Sequence, residues 1–175
     1  GWGRGVGDGN PFFLHELVKQ WLETKQRHSI PPSIISVIRD RFSRLTPEST
    51  QLLQACSVLG ENSTLPRVEK MLQQEPYMLL GALNELSRTS MLSAERKRTG
   101  SSPDFKLAPR HDLVASVALE ALDPHGEVYL HRRAAEPLGS ELAGESKDTA
   151  LLWGCARHWP KAGDNTRALY TAWRW

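Results

Sequence analysis

Long apolar runs are missing from this sequence: no stretch approaches the roughly 20 consecutive apolar residues that a membrane helix needs. We therefore expect no membrane-spanning segment. Cysteine is scarce as well. The two present, Cys56 and Cys155, fall on apolar helix faces and read as small buried residues of a reducing, cytoplasmic compartment rather than as a disulfide. Cys-x-x-Cys and His-x-x-x-His spacings do not occur, so no metal site is expected. An excess of one charge is also lacking, and a net +2 is too weak a field to demand a nucleic-acid partner. The beginning, Gly1-Trp2-Gly3-Arg4-Gly5, has neither an initiator Met nor the apolar core of a signal peptide. The final Ala172-Trp173-Arg174-Trp175 stops inside a predicted helix. Both ends lead us to expect an internal piece of a longer protein.

Catalytic constellations are lacking too. A nucleoside triphosphatase needs a Gly-x-x-x-x-Gly-Lys-[Ser/Thr] loop whose backbone cradles phosphates, and none occurs. Gly3, Gly5, Gly7 and Gly9 alternate, but no lysine follows and no strand precedes, so they read as a flexible segment. His15-Glu16 lacks the second His of a zinc protease, and there is no Gly-x-Ser-x-Gly. We expect no enzyme activity, and no ATP hydrolysis, from this chain itself.

What is present is helical periodicity interrupted once. Apolar residues at 39% and charged residues at 24% are the balance of a globular protein. Asn10-Pro11 opens a predicted helix with Leu14, Leu17, Val18, Trp21 and Leu22 inward. Pro31-Pro32 resets the chain before a helix carrying Ile34, Ile35, Ile38, Phe42 and Leu45. Thr46-Pro47-Glu48 supplies a capping hydroxyl, a first-turn Pro and a first-turn acid. The helix it opens turns Leu52, Leu53, Cys56 and Leu59 inward and stops at Gly60. A short helix carries Leu65, Val68 and Leu72; the next, from Glu75-Pro76, buries Leu79, Leu80, Leu83 and Leu86. Residues 92–96 and 104–107 then read as two strands around the polar turn 97–103. Three helices followed by a β-hairpin is the order of a winged helix. Beyond it, helices carry Leu113, Val114, Val117, Ala118 and Ala121; then Val128, Ala134, Ala135 and Leu138; then Leu151, Leu152, Cys155 and Trp159; and, past a turn at 162–164, Ala168, Leu169 and Ala172. We expect a mainly α fold in three parts: a small helical lid at 1–45, a winged-helix domain with one hairpin at 46–122, and the start of a helical-repeat-like arm at 123–175. A plain helical appendage remains the alternative for that last part.

Two short motifs flank the winged-helix pattern. Gly9-Asn10-Pro11-Phe12-Phe13-Leu14, followed by His15-Glu16-Leu17, is by itself a helix start with an aromatic pair. Arg110-His111-Asp112-Leu113-Val114 by itself is a capped helix start, with Asp112 accepting first-turn N–H groups. Taken together with 30–34, 37–45, 52–60, 130–136 and the Ala162-Gly163-Asp164 turn, these blocks resemble the signal-transduction ATPases with numerous domains. The nearest likeness is to bacterial members that join an ATPase module to TPR-like helical repeats and an output domain. The resemblance implies that Pro11, beside Asn10, packs on the adenine of ADP or ATP held mainly by an upstream ATPase core. It implies that His111 reaches the β-phosphate, with Arg110 standing where the family often has Met and Asp112 holding the His loop. It further implies the upstream P-loop domain and downstream helical repeats as partners in the same chain, and self-association of the parent protein. Arg39 and Arg41 are candidate γ-phosphate sensors, although a solvated charged face explains them more simply. His28, His125, His131 and His158 read as surface or packing residues.

A DNA-binding winged helix is the competing function. The wing carries Arg96, Lys97 and Arg98, but the candidate recognition helix, 75–88, is Leu-rich and holds Glu75 and Glu85. Phosphate contacts supply most affinity for DNA, so a helix poor in Lys and Arg is a poor reader.

Overall fold

The computed structural model describes residues 32–97, 104–143 and 148–173. The expected first lid helix, residues 98–103 of the expected polar turn, and residues 144–147 lie outside them. The described residues form eight α-helices and one two-stranded hairpin, the mainly α architecture that the periodicity indicates. No described helix is long and apolar enough to cross a membrane.

Helix α1 spans Pro32–Ser43 and buries Ile34 and Ile38. Its partner is α5, described below. Helix α2, Pro47–Leu59, is the centre of the molecule, with Leu52, Leu53, Ala55, Cys56, Val58 and Leu59 all buried. An element apolar on most sides is one surrounded by others. Thr46 caps it as expected, its Oγ1 accepting from the Ser49 N–H at 3.3 Å. Gly60 ends it at φ 57°, ψ −124°, a conformation open to glycine and strained for other residues. A 3₁₀ turn at Gly60–Asn62 leads to α3, Leu65–Leu72, and α4 follows at Pro76–Arg88. On α4, Leu79, Ala82 and Leu86 face inward. Leu80, expected inside, is instead 59% exposed, because it sits one helical step off that stripe.

Strands β1, Leu92–Lys97, and β2, Asp104–Pro109, pair antiparallel from Leu92↔Pro109 to Lys97↔Asp104. A third partner joins them that the sequence did not disclose. Thr64 bridges to Lys106, and the Leu107 N–H donates to the Ser63 carbonyl at 3.0 Å. Two residues between α2 and α3 thus dock the hairpin edge onto the helices. Helix α5 follows at Asp112–Glu120, and the helices α6, Pro124–Ala143, α7, Thr149–Lys161, and α8, Asn165–Trp173, stack in sequence. Helix α6 also lies against α3 and α2. One continuous core therefore runs from Ile34 to Ala162 through helices α1 to α7 and the hairpin, with Ala168 of α8 partly buried against it.

Candidate functional site

The expected nucleotide contact on the described part of the chain is the segment from Arg110 to Asp112. Two anchors fix it. On the strand side, the Arg110 N–H donates to the carbonyl of fully buried Met91 at 3.0 Å, in line with the Leu92↔Pro109 pairing. On the helix side, the His111 carbonyl accepts from the N–H groups of Val114 at 2.9 Å and Ala115 at 3.2 Å. His111 is half-buried with extended backbone (φ −155°, ψ 151°) and is itself the N-cap residue of α5. Capping by Asp112 is corrected accordingly: Asp112 is the first residue inside the helix and is exposed, and the cap position carries no side-chain cap hydrogen bond. A carboxylate there still favours the positive end of the helix dipole. The structure thus brings Arg110, His111 and Asp112 together on the turn from β2 to α5. Asn10 and Pro11 lie outside the described residues.

Helix α5 is held against α1 and α2. Gln54 donates to the Ala118 carbonyl at 3.3 Å, and Arg39 of α1 pairs with Glu120 at 2.8 Å. Both members of that ion pair are more than half exposed, so it matches the solvated-face reading of Arg39 better than a sensor role.

The outer face of α4 bears on the nucleic-acid alternative. Tyr77 and Leu80 are its large exposed side chains, with Gly81, Asn84, Ser87 and Arg88 beside them. A single basic residue offers little to phosphates. Glu85 does not face a partner at all. It turns back to the start of α2, where its Oε2 accepts from the hydroxyls of Thr46 and Ser49. Burial alone would raise the Glu85 pKa, but these donors outweigh it and hold the carboxyl below its ordinary range.

A second constellation joins the arm to the rest of the molecule. Arg67 of α3 grips Glu141 of α6, with Nε 3.1 Å from Oε1 and Nη2 2.7 Å from Oε2, while Nη1 donates to the Asn62 carbonyl at 3.0 Å. Arg133 of α6 donates to the carbonyls of Met71 and Lys70, at 3.0 Å and 2.9 Å, at the C-terminal end of α3. Carbonyls there have no helical partner, and a cation suits the negative end of the dipole. Arg157 of α7 reaches the Val58 carbonyl near the end of α2 at 3.1 Å, and Asn62 donates to the Ala150 carbonyl at 3.3 Å.

Between α6 and α7 lies a pair of histidines that the sequence alone presents as packing or surface residues. His131 and His158 are 5% and 0% exposed, and their Nδ1 atoms stand 2.7 Å apart. Their rings are tilted by 37° at a centroid separation of 5.0 Å. Burial first, then the nearby positive charges of Lys161 and Arg157, hold His131 down to about 4 against a weaker opposing effect of Glu127. Burial first, then His131, Arg157 and Lys161, hold His158 down to about 3. Both are neutral at pH 7. The signal that locates them in the sequence is their register. His131 falls on the stripe of Ala134, Ala135 and Leu138, and His158 on that of Leu151, Cys155 and Ala162.

Both cysteines are free and buried, as expected, with burial pushing Cys56 up to about 12 and Cys155 up to about 11. Among the described residues no group of three or more His, Cys, Asp or Glu side chains is arranged to hold a metal ion.

No family model, curated protein or solved structure matches this chain.

Proposed function

We propose that this chain is a regulatory, nucleotide-sensing piece of a multidomain signalling ATPase, coupling the ADP or ATP state of an upstream phosphate-binding core to a helical arm. The observation that supports this reading best is the set of guanidinium contacts from Arg67, Arg133 and Arg157. They tie α6 and α7 to the ends of α3 and α2. Displacement of the winged-helix part would therefore carry the arm with it, as a transmission element must. On this reading His111, on the turn between β2 and α5, donates to a phosphate oxygen of ADP, Pro11 packs on its adenine, and Asn10, Arg110 and Asp112 support them. A charge-assisted bond of this kind contributes about 1.5–3 kcal/mol. Full reversal of a two-state equilibrium needs about 5.5 kcal/mol. His111 would then be one contributor among several.

The deciding experiment measures ADP affinity of the parent ATPase before and after His111→Ala. A loss of about tenfold or more supports the sensor role, since 1.4 kcal/mol corresponds to tenfold; unchanged affinity removes it. A gel shift at low salt addresses the DNA alternative. Tight binding that weakens steeply with salt would reverse the preference.

A further inference from the structure

Two buried imidazoles meeting nitrogen to nitrogen place a strict demand on protons. At 2.7 Å, one Nδ1 must carry hydrogen and the other must offer a lone pair. Each neutral ring bears one hydrogen, so the ring that accepts at Nδ1 carries its own on Nε2. The surroundings decide which ring that is. His131 Nε2 lies 3.8 Å from Glu127 Oε1, where an N–H is attracted and a lone pair repelled. His158 Nε2 is buried without a hydrogen-bond partner, and an orphaned N–H there costs more than an unused lone pair. His158 is therefore the donor at Nδ1, and His131 is the acceptor, with its hydrogen on Nε2.

We infer that His131 and His158 form a proton-operated latch between α6 and α7, closed most firmly while both rings are neutral and in complementary tautomers. One added proton leaves a lone pair on one of the facing Nδ1 atoms, so the bond survives, but it buries a cation and gives His158 Nε2 a hydrogen with no partner. A second proton puts two N–H groups nose to nose at 2.7 Å and cancels the bond. The charged groups acting on the pair do not favour the cation. Glu127 of α6 is half exposed and shared with Lys161 at 3.7 Å, and Lys161 and Arg157 of α7 repel an added charge. Helix α8 and the 3₁₀ turn, which also pack on α7, add no charge to that set. Acid therefore loosens α7, and α8 packed upon it, from α6. The inference stands whether or not the nucleotide reading holds.

The sign follows from linkage. Both rings have lowered values in the folded chain, so the unfolded or opened chain binds protons more readily. The closed latch is fully stabilised above the ordinary histidine value of 6.5, and that stabilisation falls as pH drops below it. Each pH unit lost adds about tenfold to the opening constant per histidine that charges on opening.

The test is made on the whole chain. Nitrogen-15 spectra of the imidazoles at pH 7 should show one ring with hydrogen on Nδ1 and one with hydrogen on Nε2, neither titrating between pH 8 and 6. Amide exchange of α7, corrected for its intrinsic pH dependence, should speed up at least about tenfold between pH 6.5 and 5. In the paired variant His131→Leu, His158→Leu, which removes both partners together, that acceleration should vanish. Matching tautomers, a ring titrating near 6.5, or the same acceleration in the paired variant would overturn the latch. Should the paired variant fail to fold, the spectra of the unchanged protein decide.

Discussion

Arg67 and Glu141, 74 positions apart in the chain, meet through two parallel N–H···O bonds at the junction of α3 and α6. Their side chains are 16% and 31% exposed, well below a surface pair. Planar two-point pairing is a property of arginine that lysine lacks. Arg67→Ala and Arg67→Lys should both destabilise, by about 1–3 kcal/mol for alanine, in urea unfolding. In a double-mutant cycle with Glu141→Gln the losses should not add. Additive losses would show that the two side chains act independently.

Gly154 leaves no space for a side chain. A Cβ there would stand 2.6 Å from Asn62 Nδ2 and 2.8 Å from Leu138 Cδ1. Alanine in a helix is ordinarily favoured over glycine by about 1 kcal/mol. Here Gly154→Ala should instead lower stability by roughly 1–2 kcal/mol, since crowding a packed site outweighs that preference. Adding Asn62→Ala should recover part of the loss. A stabilised G154A protein, judged by thermal melting, would contradict this packing.

The contact of Glu85 with Thr46 and Ser49 makes the start of α2 acid-sensitive. The carboxyl lies below its ordinary value of 4.5 in the folded chain. Its contribution is therefore present above that value and lost as pH falls through the lowered one. Thr46→Ala should cost about 1 kcal/mol at pH 7 through loss of the cap. The cost should shrink as pH falls through that lowered value, and in a Glu85→Gln background it should stop depending on pH. A pH-independent cost in the unchanged background would mean that Glu85 does not act through Thr46.

Docking of α1 rests on apolar burial rather than on its ion pair. Ile38 is 1% exposed, so Ile38→Ala should cost about 2–4 kcal/mol. Arg39→Ala, losing a pair exposed on both sides, should change stability by less than about 0.5 kcal/mol. Chemical denaturation of the two variants side by side checks the ranking.

Local chemistry made much of the fold legible. Thr46-Pro47 and Gly60 bracket α2 because capping and left-handed backbone are set by neighbouring residues. The hairpin appeared where the period shifted from helical to alternating, and it runs only one or two residues longer than expected. Relationships between distant residues were not legible. Ser63 and Thr64 join the hairpin through backbone atoms, which leave no side-chain signature. Glu85 reads as a surface acid on the outer face of α4 until its partners, 36 and 39 positions earlier, are placed beside it. The candidate site was half legible. The turn at Arg110–Asp112 falls where expected, whereas the cap position falls on His111 rather than Asp112 because the helix begins one residue earlier. His131 and His158 sat on the right stripes, but a stripe alone does not say which two residues will touch.

Most anchors of the arm end on main-chain oxygen: Arg133 on Met71 and Lys70, Arg157 on Val58, and Arg67 on Asn62 as well as on Glu141. A peptide carbonyl survives any side-chain replacement at its own position. Genetic variation across this seam should thus be lopsided, with the three arginines resisting exchange and the residues that receive them drifting as far as their own packing allows. A selection experiment on the seam would read out that asymmetry directly, as tolerance at 70 against intolerance at 133.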